Sequence, residues 1–155
     1  METWQRDRIG SAINGTNPTV MTELKGGYAA FGDTQFLPGY CLLLPKRKVF
    51  TLNDLNMSER KLFLVDMSIL GDVILKVCPA KRINYDLLGN TDKFLHAHVF
   101  PRYTNEGPKR LKLPVWLYSS DHWANPKFSW KQKKYQAVRG QITNCLVKYK
   151  QNKSL

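Results

Sequence analysis

The run NTDKFLHAHVFPRY, residues 90–103, carries two histidines two positions apart, His96 and His98. In an extended chain alternate side chains share a face, so both rings lie with Phe94 and Phe100, and Leu95, Ala97 and Val99 point the other way. A single strand histidine is more often a hydrogen-bonding structural residue than a catalyst. A pair raises two kinds of chemistry. Imidazoles at i and i+2 can reach one metal ion, but zinc takes three or four ligands, and the third histidine, His122, has no neighbours at ligand spacing. Nucleophilic attack on phosphorus suits the pair better. A neutral ring attacks through one nitrogen when an acceptor holds the proton on the other and so fixes the tautomer. The phosphoryl oxygens of the resulting phosphohistidine need donors, and a second histidine on the same face is one. The turn just upstream offers more: the Asn90 amide, the Thr91 hydroxyl, and Gly89, which lets backbone approach a ligand.

Those residues need elements to position them. Residues 3–14 predict a short helix that gathers Trp4, Arg8 and Ile9, broken by Asn14-Gly15 and Asn17-Pro18. Strands are predicted at 27–32 and 40–45, joined through Asp33-Thr34-Gln35 and the Pro38-Gly39 turn as a hairpin-like pair. The clearest helix is 58–77, with Ser58 as its cap. Leu62, Val65, Ile69, Val73 and Val77 recur on its apolar face, widened by Phe63, Met67, Leu70 and Ile74. Gly71 costs that helix about 1 kcal/mol unless a neighbour packs close. Further strands are predicted at 82–89 and 94–100. Residues 103–128 read as irregular and aromatic, and a last helix begins after Ser129, with Tyr135, Val138, Ile142 and Leu146 inward. Strands around a central helix, closed by a basic helix, make an α+β fold with a mostly antiparallel sheet.

The 155 residues form one domain, 1–155, with core motifs in 27–103 and a basic aromatic extension over 104–155. Its apolar fraction of 43% supplies a core without staples. Cys41, Cys78 and Cys145 are few and scattered, which excludes a disulfide scaffold or a thiolate zinc site; Cys41 and Cys145 read as small core residues. No apolar run is long enough for a signal peptide or a membrane span, so a cytoplasmic protein with no membrane partner is the expectation. The net charge of +12 is uneven: residues 105–155 hold eleven Lys or Arg against Glu106 and Asp121. Such a field favours phosphate-bearing partners without telling nucleotide from nucleic acid. Lys131, Lys133 and Lys134 read as a solvated face that can also gather polyphosphate or RNA.

With these residues in view, GNTDKFLHAHVFPR resembles the signature of the histidine-triad superfamily of nucleotide hydrolases and transferases, particularly its diadenosine-polyphosphate hydrolases. Counting back from Pro101-Arg102, His98 matches the third histidine and His96 the middle one, the family's nucleophile. Gly89, Asn90 and Thr91 match a Gly-Gln-Ser/Thr element with Asn for Gln, and DTQFLPGYCLLLPKR resembles the strand-turn-strand around the nucleoside. The first histidine is replaced by Phe94, so the triad is incomplete. The resemblance implies a histidine-triad-like fold and a homodimer. It implies attack by His96 on the α-phosphorus of a dinucleoside polyphosphate or nucleoside phosphoramidate, with His98 assisting. No tightly bound cofactor is expected, and magnesium enters only as the nucleotide's counter-ion.

Substrate contacts are expected from Gly89, Asn90 and Thr91, and from Asp33, which stands where many members carry a ribose-binding Asn and whose carboxylate can accept from both ribose hydroxyls. Asn84 joins them if it faces the histidines. Arg102 is either a surface cation closing its turn or an anchor, for phosphate or for the structure itself. Trp123 either lines a base pocket or packs with His122 in an aromatic cluster. The alternative class is a nucleotide- or RNA-binding protein that has lost turnover, supported by Phe94 and the basic C-terminal third; its affinity would fall steeply with salt.

Overall fold

The computed structural model describes residues 1–152. Five strands form one sheet: β1 (Val20–Glu23), β2 (Gly27–Phe31), β3 (Cys41–Pro45), β4 (Arg82–Asp86) and β5 (Ala97–Arg102), in the order β1-β2-β3-β5-β4 with every neighbour antiparallel. The helices are α1 (Thr3–Arg6), α2 (Arg8–Ile13), α3 (Met57–Val77), α4 (Pro108–Leu111), α5 (Ser120–Trp123) and α6 (Gln136–Asn152). The expected α+β architecture, with a long central helix and a C-terminal one, is what the chain adopts.

Alternation along the strands gives the sheet two buried faces. Ala29, Phe31, Cys41, Leu43, Ala97 and Val99 pack against α3 and α6, through Phe63, Leu70, Ile74, Ile142 and Leu146. Ala30, Leu42, Leu44 and Phe100 pack on the other side under Val115, Trp116 and Trp123 of the 103–128 segment. Fully burying a side chain such as Phe100, which has 0% exposure, contributes roughly 1.5–3 kcal/mol. One face of the sheet is therefore covered by helices and the other, which carries Phe100, by irregular chain.

Several expected boundaries move, each for a local reason. The N-terminal helix splits at Asp7, whose carboxylate accepts from the Gly10 N–H and caps α2 instead of continuing α1. Helix α3 starts one residue early and is capped by Asn56, not Ser58: Asn56 Oδ1 accepts from Glu59 N, and the Glu59 carboxylate accepts from Asn56 N. Its buried line runs through Phe63, Leu70 and Ile74, leaving Leu62 and Val65 exposed. Gly71 lies under the Tyr85 ring, the close neighbour that its place in the helix called for. The strand expected over 94–100 begins only at Ala97. Leu95 N–H turns away to the Val49 carbonyl, and the His96 ring occupies the Phe94 carbonyl. The strand expected over 82–89 ends at Asp86, and the last helix begins at Gln136 after a 3-10 turn over Lys133–Tyr135. Strand β1 has no counterpart in the expected elements.

Candidate active site

Register places the two histidines. Leu42 pairs with His98 across β3–β5, and Asp86 pairs with His98 across β4–β5. Tyr40, one residue before β3, stacks on Phe100 at 4.3 Å between ring centroids. The corner carrying Tyr40 is fixed by fully buried Gln35, whose Nε2 donates to the Gly32 and Tyr40 carbonyls and whose Oε1 accepts from Gly39 N. Gly39 has φ of 95° and lies close to the Cys78 sulfur, so a side chain there meets both strain and a clash. The sequence PGY is thus a device that sets Tyr40 beside β5.

His96 and His98 meet at 4.6 Å, edge to face. His96 is 7% exposed, and its Nδ1 lies 2.8 Å from the Phe94 carbonyl oxygen. A carbonyl can only accept, so Nδ1 carries the proton and the Nε2 lone pair is left for the cavity. Burial holds its pKa below the ordinary value; the Phe94 carbonyl and Asp92 oppose the shift, and Arg8 reinforces it. His98 is pushed down to about 3, by burial first, then by His96 and Arg8. Both rings are neutral at pH 7. His98 Nδ1 lies 2.7 Å from the Tyr40 hydroxyl. Burial raises the Tyr40 pKa well above its usual value, so the phenol keeps its proton. Among the described residues His98 is that hydroxyl's one hydrogen-bond partner. The arrangement that satisfies both groups has Tyr40 donating to Nδ1 and His98 carrying its proton on Nε2. One ring is left with a free Nε2 lone pair and the other with an Nε2–H to donate.

Around them lies a cavity of about 270 Å³ lined by Arg8, Asp33, Tyr40, Leu42, Asp92, Phe94, Trp116 and Trp123 among others. Trp116 and Trp123 stack at 5.0 Å with planes 5° apart, and Trp116 meets His98 edge-on at 4.7 Å. Trp116 is steadied by its Nε1 donating to Asp86, and Trp123 by donating to the Tyr118 carbonyl. Trp123 serves both expectations: it lines the cavity and belongs to a cluster with Phe36, which in turn meets His122.

Other expected contacts are placed differently. Asp33 lines the cavity, but its two oxygens accept from Arg8 at 3.0 and 2.5 Å. Asn84 does face the histidine side, paired with Phe100, yet its Oδ1 accepts from Arg102 at 2.7 Å and it does not line the cavity. Arg102 is no surface cation. At 2% exposure it is buried, and its guanidinium donates to Glu106, Asn84 and the carbonyls of Leu113 and Arg110. It ties the 103–128 segment to the sheet rather than binding phosphate. Asn90 and Thr91 are exposed, and Gly89, at φ of 65°, shapes their turn. It is Asp92 of that turn which reaches the cavity, without Gly89, Asn90 or Thr91. Missing from the expected set were Tyr40, Arg8, Asp92 and Trp116. Period two along Tyr40-Leu42-Leu44 was a signal for the first; nothing local marked the others. Among the described residues no group of three or more His, Cys, Asp or Glu is placed to hold a metal ion, and no helix is long and apolar enough to cross a membrane.

This arrangement of sheet and helices is the fold of solved histidine-triad proteins. A histidine-triad protein from Sinorhizobium meliloti superposes with a TM-score of 0.64 at 19% identity, covering 81% of this chain and 87% of that one. A hypothetical histidine triad nucleotide-binding protein from Sulfolobus tokodaii gives 0.68 at 16% identity over 92% and 93% of the two chains. The diadenosine triphosphate hydrolase of Plasmodium falciparum, solved with cyclomarin A, gives 0.57 at 16% identity over 87% and 78%. No family model matches the sequence, and no curated protein does.

Proposed function

We propose that the protein is a nucleotide hydrolase or nucleotidyl transferase that cleaves a phosphoanhydride at the α-phosphate through a nucleotidyl-His96 intermediate. The observation that carries this is the hold of the Phe94 carbonyl on His96 Nδ1 at 2.8 Å, which commits Nε2 to the cavity in a neutral ring. His96 Nε2 forms a bond to the α-phosphorus as the bond from phosphorus to the leaving group breaks, and the leaving group departs with the electron pair. His98 Nε2–H, oriented by Tyr40, donates to a developing phosphoryl oxygen. Water then attacks the same phosphorus as the bond from phosphorus to Nε2 breaks, the electron pair returning to Nε2; the water's proton passes to solvent, leaving neutral His96 and a nucleoside monophosphate.

Phe94 bears on the leaving group. It stands 4.7 Å from the His96 ring with no proton to give. A phosphoramidate amine must be protonated to leave well, whereas a polyphosphate leaves as an anion, so the phosphoanhydride is the better substrate. Trp116 and Trp123 form an apolar wall suited to a nucleobase, with Asp33 near enough to the same cavity to meet a ribose. Magnesium is proposed solely as the polyphosphate's counter-ion. A homodimer is proposed with the exposed Leu62 and Val65 of α3 in the interface; sedimentation as a clean 17.9 kDa monomer at micromolar concentration would count against it. The competing RNA-binding function accounts for the charge but not for the hold on His96.

The test is a panel of dinucleoside polyphosphates, nucleoside triphosphates and a nucleoside phosphoramidate, each with and without Mg²⁺. Wild type is expected to release monophosphate from the anhydrides, and His96→Ala to lose that release. Equal rates for the two proteins would sink the mechanism.

A further inference from the structure

The second half of the reaction needs a proton acceptor that the first half does not. Attack by a neutral imidazole releases no proton, whereas water bonding to phosphorus must lose one, and a positioned base contributes about 10²–10⁴-fold to such a step. We propose that Asp92 is this base: a carboxylate oxygen takes the proton from the attacking water as the bond from phosphorus to His96 Nε2 breaks, the electron pair returns to Nε2, and Asp92 then passes the proton to solvent. The proposal rests on the nucleotidyl-His96 function above and assigns a residue to its hydrolytic half.

Three observations support it. The first is position. Asp92 lines the cavity that holds both histidines and is itself exposed, so it stands at the rim where water enters. In-line displacement brings the water to the side of phosphorus opposite Nε2, which is the open side of the cavity. The second is a fixed turn. The Asp92 carbonyl accepts from Phe94 N at 2.8 Å, the Leu95 N–H donates to the Val49 carbonyl at 2.8 Å, and the Phe94 carbonyl holds His96 Nδ1 at 2.8 Å. One short stretch of chain thus sets the base relative to the nucleophile, and the Asp92 charge reaches the His96 ring, where it favours the protonated form.

The third is that the other candidates are committed. The ionisable side chains lining the cavity are Arg8, Asp33, Tyr40, Asp92, His96 and His98. Arg8 cannot accept a proton. Both Asp33 oxygens accept from Arg8. Tyr40 keeps its proton and donates it to His98 Nδ1, and His98 Nε2 already carries one. His96 is the group being released. Of the six, Asp92 alone has a side chain with neither a hydrogen-bond nor an ion-pair partner among the described residues.

The test is the fate of the adduct when offered water or fluoride, an anionic nucleophile with no proton to lose. Wild type and Asp92→Asn are given a dinucleoside tetraphosphate with and without fluoride. Rapid quench follows the leaving group, the adduct, nucleoside monophosphate and nucleoside phosphorofluoridate. In Asp92→Asn the adduct should form within about threefold of the wild-type rate and then accumulate, because its discharge by water falls about a hundredfold. Discharge by fluoride should not slow. Equal discharge by water in the two proteins overturns the proposal and leaves the adduct chemistry standing. Equal slowing with water and with fluoride would make Asp92 a residue that shapes the site, and adduct formation slowed as much as discharge would place it in the first step; either overturns the proposal. Absence of adduct from both proteins defeats the nucleotidyl-His96 function and the base with it.

Discussion

Replacing Arg102 by lysine keeps the charge and removes the planar fork of donors. In the native chain that fork spans two edges of one junction: Nε meets both Glu106 oxygens at 3.2 Å, Nη1 meets Asn84 at 2.7 Å and the Leu113 carbonyl at 3.0 Å, and Nη2 meets the Arg110 carbonyl at 3.0 Å. A lysine ammonium offers three donors from a single point and cannot reach all of these acceptors. At least one, at a site 2% exposed, is left without a partner. Burial raises the Glu106 pKa, but Arg102 and Tyr118 outweigh it and hold the carboxyl below its ordinary range, so Glu106 remains charged and needs its partner. Each unmet buried acceptor costs about 1–3 kcal/mol, so Arg102→Lys should lose about 2–4 kcal/mol of stability. With a urea slope of about 2 kcal/mol per molar, the midpoint followed by tryptophan fluorescence should drop by roughly 1–2 M. Below that transition, KM for nucleotide should stay within about threefold of wild type, because the residue makes no contribution that distinguishes ground state from free enzyme. An unchanged midpoint together with a large rise in KM would show Arg102 on phosphate and refute the structural assignment.

Tyr40→Phe should free the His98 tautomer at a stability cost of about 1 kcal/mol and lower kcat/KM by about tenfold. Ring-nitrogen NMR should show the Nε2–H form of His98 in wild type and a mixture in the variant; an identical spectrum would remove Tyr40 from the mechanism. Stability should also fall in mild acid. The unfolded chain takes up a proton on each histidine near pH 6.5, but in the native state the His98 pKa lies at about 3 and that of His96 is also lowered. Between those values the unfolded state binds more protons, so unfolding free energy should drop by about 1.4 kcal/mol per pH unit for His98 alone, or about 2 kcal/mol from pH 6.5 to 5. His98→Asn should flatten the profile, and a wild-type profile already flat over that window would contradict the buried neutral rings.

Periodicity made the architecture legible where one face of an element is buried by its sequence neighbours. Helix α3, the β2–β3 pair and the shared face of His96 and His98 all followed from spacing. The failures came where long-range partners decide. The apolar stripe of α3 was wide enough to rotate, and contact with the sheet chose Phe63 and Leu70 over Leu62 and Val65. Asn84 was oriented toward the histidines, but its amide was claimed by Arg102, a partner eighteen residues away. Spacing could not choose between the alternatives for Arg102, because its acceptors are scattered over residues 84–113 and two of them are main-chain carbonyls, which have no residue type. The cavity walls come from four distant places: α2, the 32–44 hairpin, the turn before β5, and the 116–123 segment. Local pattern located the two histidines and missed most of what positions them.

The most direct test is to find which atom carries the nucleotide. His96 and His98 lie on one face 4.6 Å apart, and the difference between them is the partner of Nδ1: an obligate acceptor for His96, a phenolic donor for His98. A reaction quenched within the first turnover, or run with a slowly released substrate analogue, should give a nucleotidyl adduct that peptide mapping places on His96. His98→Ala should reduce the adduct's rate of formation without abolishing it, and His96→Ala should leave none. An adduct mapped to His98 or to Lys93 would contradict the account, even if the protein hydrolysed nucleotides efficiently.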